Sequence, residues 1–93
     1  MKAQIFNFYK WLTLKQNQDL KAYFYEVILD SGFTILGTID YNFNPEGYTA
    51  LFLLAESHFA IHTFPEENKY YIELSSCNKL YHDRFISILG DKS

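Results

Sequence analysis

The chain has 93 residues, a formal charge of -3 and one cysteine, with 19% aromatic residues that include nine Phe and eight Tyr. Such a length fits one domain with a modest core, so burial by self-association is expected. The lack of any Lys/Arg cluster argues against nucleic acid and anionic membranes as partners. A single cysteine excludes an internal disulfide framework, and no apolar run approaches the roughly 18 residues of a bilayer span. No charged-then-apolar leader opens the chain, so the cytoplasm is the expected compartment.

In chain order, Gln4 to Trp11 has Phe6 and Phe8 two apart and suits a strand. Thr13 to Ser31 is predicted as a helix: Thr13 and Gln16 match a capping box, Leu20, Phe24, Val27 and Ile28 form an apolar stripe, and Gly32 supplies a stop. Phe33 to Tyr41 alternates through Phe33, Ile35, Gly37, Ile39 and Tyr41, and the turn residues Asn44-Pro45-Glu46-Gly47 follow. Ala50 to Ala55 is apolar throughout, the pattern of a strand covered on both faces.

His58 to Phe64 alternates again, placing His58, Ala60 and His62 on one face and Phe59, Ile61 and Thr63 on the other. A turn at Pro65 to Asn68 leads to a strand over Tyr70 to Cys77. Leu80 to Leu89 reads as a short helix with Asn78 as N-cap, a Tyr81, Phe85, Ile88, Leu89 stripe, and Gly90 as terminator. Together these elements predict an α+β fold: a two-layer sandwich of a mainly antiparallel sheet, about four to five strands, with two helices on one face.

The chemistry concentrates at residues 55 to 66, Ala-Glu-Ser-His-Phe-Ala-Ile-His-Thr-Phe-Pro-Glu. This run resembles the self-cleavage motif of the prokaryotic S-adenosylmethionine decarboxylase proenzymes, and the resemblance extends from the first helix to Cys77. It implies that the chain cuts itself between Glu56 and Ser57, giving a β chain of 1–56 and an α chain of 57–93. Ser57 would become a covalent pyruvoyl group, an electrophilic carbonyl that forms a Schiff base with a substrate amine and draws off the electrons of decarboxylation. Such cleavage needs a strained or polarised peptide, an oxyanion stabiliser and a base for the serine α-proton.

By the same resemblance, His62 matches the processing histidine, Thr49 stands where the family has a serine that assists processing, and Cys77 matches the cysteine that protonates the decarboxylated intermediate. Phe43 and Phe64 match aromatics flanking the adenine, and Glu66 matches the acid that meets the ribose. The implied activity is decarboxylation of S-adenosylmethionine for spermidine, a polyamine, in a homodimer or higher homo-oligomer whose sites lie beside or across the contact.

The chain departs from the family pattern in Cys77-Asn78 for Cys-Gly, in Gly47-Tyr48-Thr49-Ala50 for Gly-Val-Ser-Gly, and in Phe64 for tryptophan. It also reads as a minimal version, starting at the first strand and lacking terminal segments usual in relatives. Two alternatives therefore stand beside the first: a pyruvoyl-dependent decarboxylase of another amino acid, such as arginine or ornithine, and an uncleaved, non-catalytic homologue. No metal is expected, because His58, His62 and Cys77 lack a fourth ligand or a close ligand pair. Read singly, Phe43 and Phe64 suit a core or an interface, and His82 suits a solvated helix face.

Overall fold

The computed structural model describes residues 3–92, arranged as β1 (Phe6–Thr13), α1 (Leu20–Ser31), β2 (Ile35–Asn42), β3 (Tyr48–Leu54), β4 (Ser57–Phe64), β5 (Lys69–Ser76) and α2 (Lys79–Lys92). The five strands form one sheet in the order β1-β5-β4-β3-β2, antiparallel throughout. Both helices pack on one face, giving the two-layer α+β sandwich expected from the apolar stripes.

The core lies between the helices and that face. Phe24, Val27 and Ile28 of α1 and Phe85 and Leu89 of α2 meet Ala50, Phe52, Leu54, Phe59, Ile61, Ile72 and Leu74. Phe24 is fully buried at its centre, with ring centroids 4.9 Å from Tyr23, 5.1 Å from Phe59 and 6.1 Å from Tyr70. Aromatic pairs at such spacings add to the stabilisation from buried area.

Helix α1 starts later than the capping-box pattern predicts. Thr13 ends β1, opposite Lys69, and Asp19 is the N-cap, its carboxylate accepting from the Ala22 N–H at 3.1 Å. The Thr13–Gln16 spacing is a chance match, because residues 14–19 form a loop between strand and helix. Gly32 does end α1, at φ 109°; a Cβ there would also lie 2.7 Å from Tyr81 Cε1. At the other helix, Asn78 Oδ1 accepts from the Tyr81 N–H at 3.0 Å as expected of an N-cap. Gly90 does not terminate α2, which runs to Lys92.

The alternation of residues 33–41 breaks at a bulge between Ile35 and Gly37. Phe33 is buried in the core, whereas Gly37, Ile39 and Tyr41 pair with Leu53, Leu51 and Thr49 on the face away from the helices. One extra residue, Leu36, has turned the strand over. That second face, hereafter the open face, is uncovered in a single chain. It exposes Tyr9, Trp11, Ile39, Tyr41, Leu51 and Leu53, with Leu53 59% exposed. The apolar run from Ala50 in β3 is thus covered on one side only within one chain, against the expectation of cover on both.

Candidate active site

Ser57 pairs with Leu54, so Ala55 and Glu56 alone make the β3–β4 turn. Glu56 takes φ 60°, the left-handed region. Such a conformation costs a residue other than Gly, Asn or Asp about 1 kcal/mol, so backbone strain is stored at the residue whose carbonyl precedes Ser57. The Ser57 side chain points to the helix side and is buried. Its hydroxyl donates to Ser76 Oγ at 3.2 Å, directly across the β4–β5 pair. Cys77, the next residue, is exposed at this same end of the sheet.

Thr49, His62, Phe64, Glu66 and Phe43 gather at the opposite end. Thr49 and His62 are cross-strand partners on the open face, and Thr49 Oγ1 lies 3.2 Å from His62 Nδ1. The His62 ring stacks on Tyr71 with centroids 6.5 Å apart. Phe64 packs 5.5 Å from Trp11, and Lys69 Nζ sits 4.5 Å above the Trp11 ring. Phe43, half exposed, packs 5.0 Å from Tyr41 in a turn closed by its N–H donating to the Gly47 carbonyl at 2.8 Å. Glu66 is exposed in the short 3-10 turn Pro65–Glu67.

His58 and His62 share the open face, as their spacing predicts. The structure does not bring His62 or Thr49 to Ser57 within one chain. His62 lies five positions along β4 from Ser57, roughly 16 Å, and an odd offset puts their side chains on opposite faces. The candidate residues therefore form two groups, Glu56, Ser57 and Cys77 at one end and Thr49, His62, Phe43, Phe64 and Glu66 at the other. Sequence reasoning missed Ser76; its place immediately before Cys77, at the end of a strand pattern, was the available signal.

An apolar groove of about 480 Å³ runs over the open face beside the first group, lined by Gly37, Ile39, Leu51, Leu53 and His58 among others. Gly37 keeps it open, having nothing within 4 Å of the position a Cβ would take. A larger polar groove of about 1250 Å³ lies on the helix side near Phe43. In it Tyr48 donates to Asp40 at 2.7 Å, and Lys21 lies 3.5 Å from the same carboxylate. Tyr48's hydrogen bond and Lys21 hold Asp40 below the usual carboxylate range, while burial and then Asp40 push the Tyr48 phenol up. His82 is less solvated than its sequence position suggests: its side chain is 13% exposed, with Nδ1 3.0 Å from Asp83. Among the described residues, no three His, Cys, Asp or Glu side chains are grouped to hold a metal ion.

A five-stranded antiparallel sheet with two helices on one face, and a strained two-residue turn presenting Glu-Ser-His at a strand head, define a class of two-layer α+β proteins. The sequence model described as S-adenosylmethionine decarboxylase matches residues 3–92, and the chain belongs to that family. An S-adenosylmethionine decarboxylase proenzyme of Symbiobacterium thermophilum is 40% identical over 58 residues, 62% of this chain and 44% of that protein. One from Archaeoglobus fulgidus is 38% identical over 52 residues, 56% of this chain and 46% of that protein. The matched stretches thus span less than half the length of these curated relatives. The crystal structure of the Aquifex aeolicus VF5 adenosylmethionine decarboxylase superposes with a TM-score of 0.77, covering 94% of this chain and 78% of the other at 21% identity, a likeness of fold.

Proposed function

We propose that this chain is a self-processing, pyruvoyl-dependent S-adenosylmethionine decarboxylase of polyamine synthesis, cut between Glu56 and Ser57. The observation that carries the reading is the left-handed Glu56 at a two-residue turn. Strain falls on the peptide that the family's chemistry breaks, which favours rearrangement over an unstrained strand peptide. In that rearrangement Ser57 Oγ bonds to the Glu56 carbonyl carbon and the Glu56–Ser57 amide becomes an ester. A base then removes the Ser57 α-proton and the Glu56 carboxylate leaves. The dehydroalanine that remains takes up water, releases ammonia and becomes pyruvoyl. Its electrophilic carbonyl supplies the electron sink for decarboxylation.

The chain's own residues do the rest. The Thr49–His62 pair offers an oriented imidazole as the base for the α-proton, with the Thr49 hydroxyl fixing the ring. Exposed Cys77 offers its thiol at the same end of the sheet as the cut, as the proton donor to the substrate carbon. That role requires a reduced thiol, which favours the cytoplasm. Phe43 and Phe64 offer aromatic faces to an adenine, and the Glu66 carboxylate can accept both hydroxyls of a ribose.

Since one chain holds these groups at opposite ends, the reading includes a homodimer paired through the open face. A two-fold axis in the plane between the sheets, perpendicular to the strands, turns the copies end for end. One copy's Thr49–His62 pair then lies over the partner's Glu56–Cys77 end, and the exposed Leu51, Leu53, Ile39 and Trp11 become buried.

Intact mass under denaturing conditions tests the cleavage. Two fragments dividing between Glu56 and Ser57, the second blocked at its N-terminus by pyruvoyl, are expected. A single full-length mass would refute self-processing and leave the non-catalytic homologue. Ser57→Ala should remove both cleavage and activity. Carbon dioxide release from S-adenosylmethionine, arginine and ornithine then separates the substrate readings.

A further inference from the structure

Ser76 is fully buried, and its hydroxyl has every hydrogen-bonding position filled. It accepts from the Ser57 hydroxyl at 3.2 Å and from the Asn78 N–H at 2.9 Å, and it donates to the Asn78 carbonyl at 3.2 Å. A hydroxyl has one proton and two lone pairs. Ser76 can therefore face Ser57 only as an acceptor, which draws the Ser57 proton towards β5 and leaves the Ser57 Oγ lone pairs unengaged. We infer that Ser76 is the positioning residue for the first step of self-cleavage, holding Ser57 Oγ in the orientation from which it attacks the Glu56 carbonyl.

The inference rests on the cleavage reading above and adds a residue to it. In the step concerned the Oγ–C bond forms, the Glu56 C–Ser57 N bond breaks, and the hydroxyl proton ends on the Ser57 nitrogen. It is an isomerisation that needs no co-reactant. Loss of the Ser76 hydroxyl frees Ser57 to rotate, so the ester forms slowly.

The test follows cleavage over time by denatured intact mass in the parent chain, Ser76→Ala, Ser76→Thr and Ser31→Ala. Ser31 is another fully buried serine, its hydroxyl donating to the Val27 carbonyl within α1 rather than meeting Ser57, and controls for loss of a buried hydroxyl. Ser76→Ala should cut roughly 10- to 100-fold more slowly and resist hydroxylamine, since no ester accumulates. Ser76→Thr should recover most of the rate, and Ser31→Ala should match the parent. Parent-rate cleavage in Ser76→Ala, or an accumulating hydroxylamine-sensitive ester, would overturn the inference alone. A parent chain that never cuts would overturn the cleavage reading and this inference with it. Should Ser76→Ala fail to fold by circular dichroism, Ser76→Val is compared with Ser76→Thr, and equal rates overturn the assignment.

Discussion

Mixing two inactive variants decides whether the active site belongs to one chain or two. Ser57→Ala keeps the Thr49–His62 pair, and His62→Ala keeps Ser57 and Cys77. Along β4 the two centres stand roughly 16 Å apart, against the approximately 3 Å reach of a proton-transferring hydrogen bond. They also project from opposite faces of the sheet. Neither variant alone should cut. When the two are co-expressed in equal amounts with different tags, random pairing puts about half of the His62→Ala chains into mixed dimers. There the partner's imidazole completes the site, so cleaved His62→Ala chain should approach about half of that population in intact mass. Ser57→Ala chains should stay whole. Mixed dimers recovered through both tags without any cleavage would refute the shared site, and so would parent-rate cleavage of His62→Ala by itself.

The open face gives a second expectation. Burying a leucine is worth about 2 kcal/mol, so the 59% of Leu53 still exposed is worth about 1.2 kcal/mol per copy and about 2.4 kcal/mol for the pair. That corresponds to about 60-fold in the dimer dissociation constant. Leu53→Asp should weaken the dimer by at least this factor in sedimentation equilibrium while the monomer stays folded; an unchanged constant would place the contact elsewhere. Phe24→Ala, at the centre of the aromatic core, should cost about 3–5 kcal/mol in denaturant unfolding. Tyr48→Phe should raise the Asp40 pKa measured by NMR, since the Tyr48 hydrogen bond is the main cause of its depression. The Asp40 contribution to stability is present above its ordinary value of 3.8 and is lost as the pH falls through the depressed folded value. The stability gap between parent and Tyr48→Phe should accordingly close in acid.

Most of the layer architecture was legible in residue periodicity. The Leu20, Phe24, Val27, Ile28 stripe marks the buried side of α1, and the Pro65–Asn68 turn falls between two strands as its residues suggest. Besides the run of α2 past Gly90, three details escaped. A local capping pattern at Thr13 lost to strand pairing with Lys69, a long-range contact invisible to a short window. The bulge at Leu36 reversed the faces of β2, because nothing in an alternating run announces a single unpaired residue. The unbroken apolar run of β3 reads as burial on both sides, yet one chain covers only one side. For the site, the identities at Ser57, His62 and Cys77 came from a motif, and a motif has no handedness. That Ser57 faces the helices and His62 faces away follows only from counting residues along β4 once its pairing is known.

The strand order bears on what would become of the protein after the proposed cut between Glu56 and Ser57. Strands β4 and β5 would then belong to the shorter product, and β1, β2 and β3 to the longer one. Because the sheet runs β1-β5-β4-β3-β2, the short product's two strands sit in the middle, gripped along β5 by β1 and along β4 by β3. Neither of its edges is free, so the fragments cannot peel apart by releasing one flank. Losing the peptide bond would nevertheless turn unfolding from a unimolecular process into a dissociation. Once denatured and diluted, the processed molecule would have to find its other half again, whereas the uncut precursor carries its own.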